Sequence, residues 1–359
     1  MRGAFVDQGG LFSYIAPEAR VPKNHPLRKV RELVRDVLGD LNRCFGRLYA
    51  SEGRPSIPPE QLLSALLVQV FYGIRSERQL MEQLDYNLLY RWFVGLSPDD
   101  PVWDPTTFTK NRDRLQSGEV FAQFMSKLLN HPQIKPLLSD EHFSVDGTLI
   151  EAWASQKSFR PKDDSGDEDD GANFHGQKRK NDTHASTTDP ESRLYRKAAG
   201  REAKLSYLGH VTMENRHGLA VAGMVTRATG TAERDASEKM LKAKAKAASG
   251  RITVGEDKAY DTAGHVAKLR AMNVTPHVTQ YNTASTKGRQ SAIDRRTTRH
   301  EGYAMSQSCR AMIECIFGWG KQHGTMRKTK HRGIARVATD FMLNLIAYNL
   351  IRVPKLISA

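Results

Sequence analysis

Arg310, Glu314 and Lys321 lie four and seven residues apart, in a stretch whose apolar positions repeat at helical intervals. At ~100° per residue, all three fall within about 60° of one another on a helix over 303–321, with Gln307 on the same stripe. Cys309, Met312, Ile313, Ile316 and Phe317 fall on the other side, as a core face should. One acid between two cations can be a solvated face carrying an Arg–Glu pair. It can also be a site where the carboxylate takes a metal ion and the cations take phosphate oxygens. The surroundings favour the site: residues 281–336 hold twelve lysines and arginines against three acids, nine of the chain's net fourteen positive charges. A basic patch built around one acid suits an enzyme that cuts a polyanion better than a passive clamp.

Two aspartates complete a candidate set. Asp146 follows the strand-like run His142–Val145, and Asp257 ends a second run, ITVGED. Thr148–Trp153 continues or pairs with the first run. A carboxylate at a strand end is held by the sheet yet reaches a cleft, and two on neighbouring strands could share a divalent cation, which prefers oxygen ligands. Taken singly, each is more often a turn former. Strand parity sets Glu151 opposite to Asp146 and Glu256 opposite to Asp257. Asp261, beside Thr262, reads as the N-cap of a helix running to Met272.

Elements that would position these groups follow from periodicity. Helical patterns over 28–45, 59–73, 76–84, 86–95, 105–116 and 118–130 predict an all-helical unit over residues 1–135. Residues 136–359 read as strands, helix, strand, helix, strand, helix: an α/β unit with a mixed sheet. It includes a hairpin of 205–214 with 219–226, a helix opened by Asp235 and Glu238 as a capping box and running to about 248, a strand at 275–279 and a last helix over 336–351. Residues 157–204, with the acid-rich tract 163–171, lack apolar periodicity and read as a polar, partly disordered surface insertion.

Three segments in this order resemble DDE-type transposases of bacterial insertion sequences, the IS-five family: SVDGTLIEAWAS at 144–155, TVGEDKAYDT at 253–262 and CRAMIECIFGWGKQHG at 309–324. The last carries the family's spacing at Arg310, Glu314 and Lys321. The text at 181–197, 203–219 and 230–237 is also similar, as is FSYIAPEARVPKNHPLRKVR near the N-terminus, so the resemblance covers nearly the whole chain. Gln307 stands where the family has tyrosine, and Ala259 where glycine is common.

The resemblance implies an RNase H-like fold, a mixed five-stranded sheet flanked by helices behind a helical DNA-binding domain. It implies that Asp146, Asp257 and Glu314 are catalytic and hold two Mg²⁺ or Mn²⁺ ions. It further implies cutting of the element's ends and joining of their 3′-OH groups to target DNA, with no covalent protein–DNA link. Arg310 and Lys321, with Arg295, Arg296 and Arg299, are expected to contact DNA, and Tyr260 and Tyr303 to be structural or DNA-contacting. The expected partner is double-stranded DNA, at the element's terminal inverted repeats and at the target, bound by a homodimer or higher oligomer. A transposon-derived DNA-binding protein without catalysis, acting as repressor or architectural factor, shares the charge but has no need of the three acids. A related nuclease without strand transfer is the other alternative.

Composition agrees. A chain of 359 residues with 39% hydrophobic and 26% charged residues can bury a core, and a pI near 9.7 suits a polyanion partner. The apolar runs Leu62–Ile74 and Phe341–Ile351, interrupted by Gln69, Asn344 and Asn349, read as buried helices, so no membrane partner is expected. The start lacks signal-peptide architecture and the three cysteines lack CxxC spacing, which fits a bacterial cytoplasmic protein associated with the nucleoid.

Overall fold

The structure, a computed structural model, describes residues 16–49, 52–53, 55–117, 119–162, 179–196, 200, 202–282 and 288–357. The acid-rich tract 163–171 lies outside them.

Helices come first: α1 (Pro17–Arg20), α2 (Leu27–Asp40), α3 (Asn42–Leu48), α4 (Pro59–Phe71), α5 (Glu77–Tyr86), α6 (Leu88–Val94), α7 (Pro105–Ser117) and α8 (Val120–Asn130). Their ends are set locally. Ser76 caps α5 by accepting from Gln79 N–H, Asn87 caps α6, and Asp104 accepts from Thr106 and Thr107 at the start of α7. Gly95 ends α6 at φ 88°, a left-handed conformation that glycine adopts without penalty. The pattern over 28–45 divides into α2 and α3 because the chain turns at buried Leu41.

The sheet follows: β1 (His142–Glu151), β2 (Phe159–Pro161), β3 (His184–Ser186), β4 (Arg193–Tyr195), β5 (Lys204–Glu214), β6 (Ala220–Arg227), α9 (Ala232–Ala247), β7 (Ile252–Glu256), α10 (Ala263–Ala271), β8 (Val274–Val278), α11 (Arg295–Thr298), α12 (Glu301–Arg310), α13 (Ile313–Gln322) and α14 (Ile334–Ile357). β5 runs antiparallel to β1; β7 lies parallel to β1 on its other side, and β8 parallel to β7. β6 pairs with the outer edge of β5, giving the expected mixed five-stranded sheet flanked by helices. Short β4 extends that edge, while β2 and β3 pair apart from the sheet, so part of the predicted insertion is ordered structure.

Four local expectations are corrected. β1 is one continuous strand, so Asp146 lies within it rather than at its end. α9 begins at Ala232, which puts Asp235 inside the first turn and frees Glu238 to bind His265 and Lys268. Thr262 alone caps α10; Asp261 is buried and accepts from Tyr281 and Ala292 N–H, holding both backbones at one point. The helix expected over 303–321 is two helices, because hydrogen bonds tighten to i→i−3 where Ala311, Met312, Glu314 and Cys315 donate to Ser308, Cys309, Ala311 and Met312.

One apolar core crosses the predicted boundary at 135/136. α14 packs on β5 and β6 and also on α2, α4 and α8. It is long and apolar enough to cross a membrane by length and composition, yet it is largely buried in the protein. Asn349 shows its role. The Asn349 amide donates to Ala220 C=O at 2.8 Å and accepts from Ala220 N–H at 3.0 Å, satisfying the first residue of β6.

Candidate active site

Register brings the first two acids together. In the β1–β7 pair, Phe143 faces Val254 and Ser144 faces Gly255. Two more steps set Asp146 against Asp257, just past the end of β7. Neighbouring parallel strands ~4.8 Å apart carry such residues on one face. That face is covered by α12, α13 and α14: a Cβ on Gly255 would lie 3.1 Å from the Ser306 carbonyl of α12, and Ile150 packs in the core with α14. The opposite face is covered by α9 and α10, where Phe143 and Val145 meet Leu241 and Leu269. Asp257 is held by capping the Lys258–Tyr260 turn, accepting from Ala259 N–H at 2.7 Å.

Glu314 reaches the same face from the first turn of α13, which packs against β1. Its carboxylate and that of Asp257 are near enough to Asp146 to act on its charge. Burial pushes the Asp146 carboxyl up to about 7, and the negative charges of Asp257 and Glu314 push the same way. The Gly147 N–H, donating to Asp146 at 2.7 Å, and the Arg310 guanidinium, 3.8 Å away, oppose the rise. The three acids thus form one electrostatic unit with Arg310 as a neighbouring cation. The Arg310 Nε is buried without a hydrogen-bond partner among the described residues.

A network that sequence reading missed backs the site from the other face. Glu256, wholly buried, accepts from Ser237 of α9 and meets His265 Nε2 of α10 at 2.9 Å. His265 Nδ1 meets Glu238 at 3.0 Å, and Lys268 donates to Glu238 at 2.9 Å. Burial works against charge on His265, but the hydrogen bonds and charges of Glu256 and Glu238 outweigh it and raise its pKa. Parity showed Glu256 turned from Asp257; the buried partner 9 residues on, in a helix with no marked apolar face, left no signal in the sequence.

Other expected residues lie elsewhere. Lys321, at the far end of α13, borders a cleft between α13 and the helical unit. Arg295, Arg296 and Arg299 are exposed on or just after α11; Arg296 pairs with Asp294 at 2.7 Å. Arg296 borders a cleft of about 640 Å³ with Arg251 and Val274, at the starts of β7 and β8, the opposite end of the sheet from Asp257. Gln307 turns to β8, where its amide bonds to the His277 carbonyl and the Thr279 hydroxyl, so it anchors α12 instead of joining the Arg310 stripe. Glu151 pairs with Lys204 and Lys328 at 3.4 and 3.2 Å. Tyr303 donates to the Val278 carbonyl and Tyr260 is buried, both structural placements.

Among the described residues, no group of three or more His, Cys, Asp or Glu side chains is gathered tightly enough to hold a metal ion. The donor chemistry nevertheless fits a hard divalent cation: the three acids offer only oxygens, and their charges repel one another until a cation intervenes.

The family model described as "Transposase domain (DUF772)" matches residues 16–114, and that described as "Transposase DDE domain" matches residues 137–350. A search of curated proteins returns no match. Among solved structures, the piggyBac transposase synaptic complex with hairpin DNA is similar over 91% of this chain and 74% of that one, at 11% identity and a TM-score of 0.38. The Mos1 transposase paired-end complex with the left transposon end is similar over 79% and 88%, at 11% identity and a TM-score of 0.21. The Mos1 mariner paired-end complex with Mn is similar over 94% and 93%, at 13% identity and a TM-score of 0.20. These structural likenesses are loose, and the family match stands without them. With the DDE model spanning well over half of its length, this chain belongs to the DDE transposases.

Proposed function

We propose that this transposase cuts the ends of an insertion sequence of the IS-five type and joins their 3′-OH groups to target DNA by two-metal phosphoryl transfer. Asp146, Asp257 and Glu314 are the catalytic carboxylates. The observation that carries this reading is the parallel register that sets Asp146 against Asp257, with Arg310, one helical turn before Glu314, 3.8 Å from Asp146. In that setting the three would hold two Mg²⁺ or Mn²⁺ ions, which when bound supply activation of the attacking oxygen and stabilisation of the leaving oxygen. The chain's own work is placement. β1 and β7 fix two carboxylates on a rigid sheet, and α13 brings the third over them. Arg310 balances the acids in the absence of DNA, and its planar fork suits a phosphate at the same spot. Lys321, Arg295, Arg296 and Arg299 take phosphates further out, the helical unit of residues 1–135 reads the element's ends, and residues 136–359 carry out the chemistry. Pairing of two ends requires a homodimer or higher oligomer on DNA, in the bacterial cytoplasm at the nucleoid.

Incubation of the full chain with a duplex carrying the element's own end and Mg²⁺ should yield 3′-OH nicks and then joined products. Nicks without joined products would make it a nuclease of the same fold. Binding without nicks would favour a repressor or architectural factor.

A further inference from the structure

The basic stretch does not form one surface. Its second half lines a cleft of about 1240 Å³ whose facing wall is the helical unit, with Arg75 between α4 and α5 and Arg112 of α7. Strand end Glu151 and Trp153, 51% exposed, form a third side. Eight lysines and arginines border this cleft against two glutamates, and both glutamates are already engaged. Glu77 pairs with Arg112, and Glu151 with Lys204 and Lys328. Arg75, Arg327 and Arg332 are exposed and make no ion pair among the described residues. Lys330 lies beneath them. Its Nζ is buried with no hydrogen-bond partner among the described residues, and burial pushes its pKa down to about 8. The Asp340 carboxylate is near enough to favour its charge and the Arg112 guanidinium near enough to oppose it, so Lys330 adds to the positive field of the cleft from beneath its surface.

The cleft continues from the acids. Lys321 borders it and lies seven residues from Glu314 along α13, about 10 Å along the axis and on nearly the same face. Glu151 lies five residues from Asp146 along β1, roughly 16 Å. Successive phosphates of one DNA strand advance about 3.4 Å along the duplex. The cleft therefore begins about three to five nucleotides from the phosphate at the acids.

Resting on the transposase reading, we propose that this cleft is a second seat for duplex DNA, distinct from the α11 arginines, in which Arg75, Arg327 and Arg332 take backbone phosphates three to five nucleotides from the scissile one. The Trp153 indole lies against the sugar edge at its lip. Because one wall belongs to the helical unit and the other to the segment after α13, a single duplex bridges both.

The test uses the full chain and a fluorescent 40-base-pair mixed-sequence duplex, with anisotropy titrations across a series of KCl concentrations. Each phosphate contact contributes about −0.9 to the slope of log K against log salt. Arg327→Gln with Arg332→Gln should flatten the slope by about 1.8 and weaken binding at low salt by at least tenfold. Lys330→Met should weaken binding less than the double variant, because it removes one positive charge behind the phosphates and no direct contact. If Lys330→Met does not fold, the double variant carries the test. Folded variants with wild-type slope and affinity would overturn the cleft assignment alone. A wild type that binds no duplex would overturn the transposase reading beneath it.

Discussion

At the scale of single residues, the facing of two aspartates was legible because strand parity is arithmetic. Asp146 and Asp257 share a face through register, and Glu314 reaches it from a helix. Asp261 was misread because a carboxylate before a helix looks like a cap; only the fold shows that it anchors a loop 20 residues later. His265 was invisible for a related reason, since its partners come from β7 and α9. Its raised pKa has a definite sign. The folded value exceeds the usual 6.5, so its stabilisation is full below that pH and is lost as pH rises through the folded pKa. His265→Asn should therefore lower the stability of the protein most near pH 6, by about 1–3 kcal/mol as Glu256 loses a partner, and progressively less at alkaline pH. Thermal melts from pH 6 to 9 measure this; a difference that grows with pH would contradict it. Arg310→Ala, beside Asp146, should weaken DNA binding and slow cleavage without abolishing it, whereas an isolated surface Arg–Glu pair would contribute only ~0.3–0.5 kcal/mol and barely matter. Gel-shift affinity and cleavage rate separate the two.

At the scale of elements, most of the helices and strands were readable from apolar periodicity and caps, because each has a face that must be buried. The break at Ala311–Met312 was not, since both residues keep helical angles and only the hydrogen-bond pattern tightens. The docking of α12 depends on Gly255, where the Ser306 backbone approaches β7. A methyl there meets a carbonyl held in a helix, which cannot rotate away. Gly255→Ala should destabilise the protein by about 1–3 kcal/mol. It should also slow cleavage more than it weakens DNA binding, because α12 leads into the Arg310–Glu314 turn. Chemical denaturation alongside cleavage and gel-shift assays reads both effects, and wild-type stability would show that α12 yields freely.

At the scale of the whole molecule, the sequence suggested two units, but a shared core cannot be read from local patterns. α14 binds the helices and the sheet into one apolar interior, and its mostly apolar run over 341–350 announces burial without naming its neighbours. Denaturation should accordingly show a single cooperative transition. Asn349→Leu, which strips both partners from Ala220, should lower stability by about 2–4 kcal/mol; two separate transitions would contradict the common core. The active-site assignment depends on that interior, since it holds α13 and β1 in register with each other. Its most direct test is Mg²⁺-dependent cleavage of the element's own end by Glu314→Gln, with DNA affinity measured on the same preparation. The substitution keeps the side chain's size and removes only its charge. Cleavage should be abolished while DNA binding is retained or slightly strengthened; cleavage at the wild-type rate would show that Glu314 is not a catalytic carboxylate.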